Sequence, residues 1–544
     1  MTHFLHRLRS IGPRGRRTAA LVVPVAVFAL MLGLVVVSGG PAGRPGGSGT
    51  GNPNSAAGTN DRLEVGGGAD TTVTGVDPAA PGAASGAASG SSGGKGSAPR
   101  AGSGSTIPVP SASTPLPGIK GNEITVAYYW KGDRTRTSPY LAGSGFETSL
   151  DEGKSFRTLI EYINRHADGG ATLMGFPFDL HGKKLVPVVL EAGNSPEEYA
   201  AVGRRLVEEV KPAIAVSAHG SLSSYVCPQL ARAGIHNLST FDLEPDLASR
   251  TGGYCTPLGA SWDRQAEASV NYISGRMSKS NYSGPEGSGP RRFGVIWAEY
   301  PGLNASARRL IKSLESAGVK IAATATLSDS LTEAQQQAGN AVARMRAAGV
   351  NTIIFPDSGA PLSFTQAAET QQYRPDYYVW PCSGQDLTAM VRLFNANQWE
   401  RAQGLACYDS DFQTDLANDS HSAETEWYRQ YRSIRNEDPP SSTGLVYQSL
   451  LPLVVGLTNS GGDLTVGAFR SAIAEFDSYR YSAVTGRTTD ARRLLLDIGS
   501  PDRSLIGDFT EVAWSASDRA EGSSVPGTYQ YPGDQKRYPA SYRW

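Results

Sequence analysis

From Glu123 onward the chain alternates two hydrophobic textures. Short apolar, β-branched or aromatic runs read as strands, and longer segments with apolar residues every three or four positions read as helices. Glu123–Trp130 (EITVAYYW) predicts a first strand. Ser155–His166, with Phe156, Leu159, Ile160 and Ile163 on one face, predicts a helix. Lys184–Glu191 (KLVPVVLE) is the next strand, and Ser195-Pro196-Glu197-Glu198 opens a helix with an N-cap, a proline at the first helical position and acids in the first turn. Ala213–Ala218, a helix over Ser221–Ala233 and Ile235–Thr240 complete the first run. A helix near Ser261–Met277 restarts the pattern, and a Gly-, Ser- and Pro-rich turn region follows. Strands at Arg292–Ala298, Val319–Thr326, Val350–Pro356 and Tyr377–Trp380 then alternate with helices at Asn304–Ala317, Thr332–Ala348 and Leu362–Gln372. Gly318 and Gly349 stand just past helix ends, where a left-handed stop is expected. Such alternation implies βαβ units and parallel sheets. Two runs, split near Pro257–Ser261, imply an α/β protein of two doubly wound lobes, with ligands at the carboxyl ends of the strands.

The segment before this is built differently. Arg7, Arg9, Arg14, Arg16 and Arg17 precede an apolar run from Ala19 to Val37, so residues 1–38 read as a signal peptide or an N-terminal membrane anchor. Residues 39–118 are mostly Gly, Ser, Ala, Pro and Thr, with no aromatic residue between Phe28 and Tyr128. That composition buries too little apolar surface to offset backbone entropy and predicts a disordered linker. Roughly eighty residues of such coil reach about 50 Å on average.

Charge and cysteine content narrow the function. The 544-residue chain has 50 Lys+Arg against 51 Asp+Glu, a balance that argues against nucleic acid as partner. Its four cysteines, Cys227, Cys255, Cys382 and Cys407, form no C-x-x-C pair, and the seven histidines show no metal spacing, so neither metal nor cofactor is expected. In an exported protein the close pairs 227/255 and 382/407 read as two local disulfides; four buried thiols are the bland alternative, and connectivity stays open. Gly153-Lys154-Ser155 lacks the glycine and preceding strand of a phosphate loop, and no G-x-S-x-G elbow sits at a strand–helix junction.

The stretches Gly121–Ala127, Ala213–Ser224 (AIAVSAHGSLSS), Gly234–Thr240, Tyr254–Ala260, Arg292–Tyr300 (RFGVIWAEY), Val350–Gly359 and Tyr447–Leu457 (YQSLLPLVVGL, a late apolar helix) together resemble type I periplasmic binding proteins of the branched-chain amino-acid-binding class, the solute receptors of ABC importers. The resemblance implies three crossings between lobes, near residues 259, 408 and 505. Lobe one would then hold 122–259 plus 409–505, and lobe two 260–408 plus 506–544. It further implies an extracytoplasmic protein that traps a small polar solute, an amino acid or related amide, partners an ABC permease, and is not an enzyme.

Candidate ligand-binding residues follow from strand ends and from this resemblance. Gly220 and Ser221 match the family's carboxylate-binding turn at a helix start, where backbone N–H groups attract an anion; Ser221 as a plain helix cap is the bland alternative. Thr240, Phe241 and Asp242 occupy a turn where the family places small or hydroxyl contacts, so Phe241 and Asp242 depart from a leucine- or valine-binding pattern. Tyr300, Asp357, Ser383 and Gln385 follow strands of lobe two, with Asp357 placed to meet an ammonium, and Tyr129 reads equally as ligand wall or core. Two rivals remain: a membrane-tethered sensor of the same fold without transport, and an exported enzyme using Asp357 and His219.

Overall fold

A computed structural model describes residues 107–131, 149–192, 196–217, 220–239, 244–329, 331–412, 422–440, 443–520 and 525–544. The proposed signal or anchor and most of the linker lie outside the described residues. No described helix is long and apolar enough to cross a membrane.

The first run of elements is β1 (Ile119–Lys120), β2 (Glu123–Lys131), α1 (Ser149–Arg165), the β3–β4 hairpin (Thr172–Leu173, Phe176–Pro177) and β5 (Lys184–Ala192). It continues through α2 (Pro196–Arg205), β6 (Ile214–Ser217), α3 (Gly220–Arg232), β7 (His236–Ser239), α4 (Leu247–Arg250) and β8 (Cys255–Pro257). Central β2 pairs in parallel with β5 and β6, and β7 and β8 extend the sheet in the order β1-β2-β6-β7-β8. Its side chains alternate faces, as a strand must. Val126, Tyr128 and Trp130 join the core beneath α1, while Ala127 and Tyr129 join the layer beneath α2 and α3. Both faces are covered, so the strand reads as one continuous apolar run, as parallel sheets do.

The second run is α5 (Trp262–Tyr272), the hairpin β9 (Asn281–Gly284) and β10 (Gly287–Pro290), β11 (Phe293–Glu299), α6 (Pro301–Ser316), β12 (Ile321–Ser328), α7 (Leu331–Ala347) and β13 (Thr352–Ile354). After these come α8 (Ala360–Thr370), β14 (Asp376–Val379), α9 (Thr388–Val391), α10 (Ala396–Trp399) and β15 (Ala402–Ala406). The five strands β12-β11-β13-β14-β15 are parallel. The chain then leaves for α11 (Glu426–Arg435), α12 (Thr443–Ser449), α13 (Leu451–Asn459), α14 (Val466–Ala474) and a small sheet, β16 (Tyr479–Ser482), β17 (Gly486–Thr488) and β18 (Leu494–Leu496). It returns as β19 (Asp508–Ser515), which adds antiparallel to β15 and carries β20 (Thr528–Gln530) and β21 (Arg537–Pro539). Helices α11 and α12 pack on α1, beside the first sheet. The two sheets are thus connected three times, after β8, after β15 and before β19.

Three details differ from the sequence reading. The turn-rich stretch after α5 is the β9–β10 hairpin, tied down where the Arg374 backbone N–H donates to Glu286 and Arg401 donates to the Ser283 carbonyl. Glycine-rich strands carry no apolar alternation, so the pattern gave no signal. The single late helix over Tyr447–Leu457 is two, α12 and α13, broken at Leu450 because Pro452 lacks an N–H and disfavours helical geometry just before it. Finally, residues 107–118 of the compositional linker are laid on the body: Leu116 is buried, its N–H donates to the Leu464 carbonyl, and Val466 and Gly467 donate to Thr114 and Ala112.

Candidate functional site

The carboxyl ends of both sheets are the natural place for a ligand. From the first sheet, β6 ends at Ser217 and α3 starts at Gly220. From the second, β11 ends at Glu299, Tyr300 stands extended at φ −142°, and Pro301 opens α6 at a position where no N–H is needed. The starts of these two helices approach each other. A Cβ on Gly302 of α6 would lie 2.8 Å from Ser224 Oγ of α3 and 2.7 Å from Glu244 Cγ, so any larger residue there would displace both side chains. Each helix start supplies unpaired backbone N–H groups and the positive end of a dipole. Below them, Arg309 of α6 reaches Asp246 beyond β7 at 2.8 Å and Asp263 of α5 at 3.1 Å, while the Asp246 N–H donates to Asp263.

Asp357, after β13, is buried. Its Oδ2 accepts from the Ala298 N–H at 3.0 Å, and its Oδ1 accepts from Gly359 and Ala360 at 2.7 and 2.9 Å. It therefore stitches the end of β11 to the start of α8. Burial pushes its carboxyl up to about 6, although the three amides pull the other way. Burial, then the charges of Asp357 and Asp329, raise the Tyr300 hydroxyl well above its ordinary range. Gln385 is enclosed; its Nε2 donates to the Phe355 and Asp357 carbonyls at 2.7 and 2.6 Å. The Ser383 hydroxyl donates to the Trp380 carbonyl. Tyr129 is buried in the layer under α2 and α3, its hydroxyl donating to Asn237 Oδ1 at 2.7 Å with Ser223 Oγ at 3.4 Å.

The structure thus brings Tyr300 and Asp357 together, sets Ser383 and Gln385 into the neighbouring loop, and places Tyr129 inside the first sheet's core. Gly220 and Ser221 lie in the first turn of α3. Thr240, Phe241, Asp242 and the side chain of Ser221 lie outside the described residues. Sequence reasoning missed Ser224, Glu244 and Gly302; the Pro301-Gly302 pair at a helix start was the available signal. Both disulfides form, Cys227–Cys255 joining α3 to β8 and Cys382–Cys407 joining the loop after β14 to the end of β15. Among the described residues, no group of three or more His, Cys, Asp or Glu is placed to hold a metal ion.

Comparison with known proteins agrees with this architecture. A family model described as periplasmic binding protein matches residues 143–494. An ABC transporter substrate-binding protein from Aeropyrum pernix is 10% identical, with 77% of this chain and 96% of that one covered at a TM-score of 0.52. A solute-binding protein of an ABC transporter from Rhodopseudomonas palustris, solved with 3,4-dihydroxybenzoic acid, is 11% identical, with 78% and 99% covered at 0.50. No curated protein matches the chain. With well over half its length matched by the family model and two doubly wound sheets connected three times, the chain belongs to the periplasmic binding protein family and carries its type I fold.

Proposed function

We propose that this protein is an extracytoplasmic receptor that traps a small polar solute, an amino acid or related amide, and delivers it to an ABC permease. The observation that carries this reading is the opposition of two helix starts, α3 and α6, at the carboxyl ends of the two sheets. A carboxylate held there gains N–H donors from both sides without a basic side chain. In this reading the lobes divide at the three connections, as 122–259 plus 409–505 and 260–408 plus 506–544. Closure about those connections excludes water from the solute. Binding rather than turnover is the job: Asp357 has both oxygens engaged by backbone amides, which suits a scaffold and not a proton-transferring base.

The test is a thermal-shift screen of the purified full chain against amino acids, amides and, because the Rhodopseudomonas palustris relative holds one, aromatic acids. A ligand that binds only the folded state must raise the melting temperature. A saturable rise with one class, lost on Ser221→Ala or Gly302→Val, is expected. No rise with any class sinks the reading.

A further inference from the structure

A second site lies away from the strand ends, on the flank where α11 packs on α1. A cavity of about 420 Å³ there is lined by Tyr162, His166, Thr172, Glu426, Gln430 and Thr485, among others. Glu426 is buried, and its four hydrogen-bond donors are all neutral: Thr172 Oγ1 at 2.7 Å, the Gly175 N–H at 3.4 Å, Gln430 Nε2 at 3.2 Å and the Tyr481 hydroxyl at 3.3 Å. No cationic side chain pairs with it among the described residues. Arg429, also in the lining, spends its guanidinium on the carbonyls of Glu424 and Val484 rather than on Glu426. A buried carboxylate without a counter-charge is the arrangement a folded chain normally avoids.

Two further groups beside the cavity share its bias. Gln430 Nε2 donates to the Thr172 carbonyl at 2.8 Å and to Glu426, which fixes the amide orientation and leaves the buried Oε1 without a partner. His166 Nδ1 lies 2.8 Å from the Tyr162 carbonyl, which can only accept, so Nδ1 carries the proton and Nε2 keeps its lone pair in the neutral ring. The Tyr162 and His166 rings, 4.4 Å apart, add an aromatic wall. Charge, amide oxygen, ring nitrogen and π faces all favour a cation carrying N–H donors.

We propose that this flank cavity binds a small organic ammonium compound, with Glu426 as its counter-charge. The volume is that of a pocket for a molecule of several heavy atoms, and no metal-type cluster exists among the described residues. The site is separate from the proposed solute cleft, because none of its lining residues belongs to α3, to α6 or to the loops at the carboxyl ends of the two main sheets.

The test titrates the full chain with n-butylammonium chloride at constant ionic strength, with n-butanol as the uncharged isostere, by calorimetry and thermal shift. Saturable millimolar binding of butylammonium alone is expected, weakened at least tenfold by Glu426→Gln and unchanged by Ser221→Ala. Thr485→Trp, which fills the cavity from the β16–β17 turn without touching the buried carboxylate, covers the case in which Glu426→Gln fails to fold; it should also abolish binding. Absence of saturation, equal binding of butanol, survival of binding in Thr485→Trp, or its loss in Ser221→Ala would each overturn the site. None of these outcomes bears on the amino-acid screen.

Discussion

The loops at the carboxyl ends of the second sheet and the connections between the two sheets both depend on wholly or partly buried aspartates, but they hold them differently. In the loops the partners are backbone amides, from the same turn and from the ends of neighbouring strands. Asp357 caps the β13–α8 turn, and Asp386 Oδ2 accepts from the N–H groups of both Cys382 and Cys407, at 2.9 and 2.8 Å, bracing the disulfide. In the connections the partners are arginines from distant segments. Asp508 on β19 is gripped by Arg480 from β16 and by Arg537 from β21, the latter at 2.6 Å. Asp502 takes Arg264 at 2.8 Å together with Ser261 and Ser504. Amide-held carboxylates fix the shape of one loop, whereas arginine-held ones fix how chain segments meet. Under the proposed function the first kind would wall a ligand, and the second would hold the connections about which the lobes close.

The largest effect should come from breaking the second kind. Asp508→Ala leaves Arg537 buried without its carboxylate and should cost about 3–5 kcal/mol, read from urea denaturation; a loss under 1 kcal/mol would erase the contrast. Removing Cys227–Cys255, whose partners are 28 residues apart, by a double alanine substitution should cost about 2–4 kcal/mol, and a reductant should reproduce the loss in the parent protein. Asp357→Asn should cost about 1–3 kcal/mol, because its amide end cannot accept the Ala298 N–H. It should also change the pH profile. Burial raises the Asp357 carboxyl from 3.8 to about 6 in the folded protein. Its contribution is therefore complete below the unfolded value and lost as pH rises through about 6. Asp386 and Asp409, raised to about 6 mainly by burial, act in the same direction. Melting temperature against pH should fall less steeply across that window in Asp357→Asn than in the parent; an unchanged slope would remove Asp357 from this role. The smallest effect belongs to Arg309→Ala, whose half-exposed pairs with Asp246 and Asp263 are worth less than about 1 kcal/mol.

Much of the architecture was legible because both sheets are buried on two faces. β2 and β11 are nearly unbroken apolar runs, and α3, α6 and α7 stop at Gly234, Gly318 and Gly349 in left-handed geometry. What stayed illegible depends on the third dimension. The β9–β10 hairpin buries mainly Tyr282, so no periodicity marks it. Thr114 and Leu116 look like linker residues, and only the edge offered by Leu464 and Val466 makes them part of the body. At the site, strand-end position picked out Asp357 and Gln385 as candidate ligand contacts. Position could not reveal that their polar atoms are consumed by the Ala298, Gly359 and Ala360 amides and by the Phe355 and Asp357 carbonyls. Glu426 was invisible for the same reason: a lone acid near a helix start says nothing until its donors prove to be neutral.

The docking of residues 107–116 has a mechanical consequence. Ile107 hydrogen-bonds to Arg250, and Ala112, Thr114 and Leu116 bond to the Leu464–Gly467 edge. Any tension arriving at Ile107 therefore meets these bonds first, on the side of the first sheet. Helix α14 and the end of α4 are the anchor plate. None of these bonds reaches the second sheet, so a pull on this segment loads the first-sheet side before the three connections.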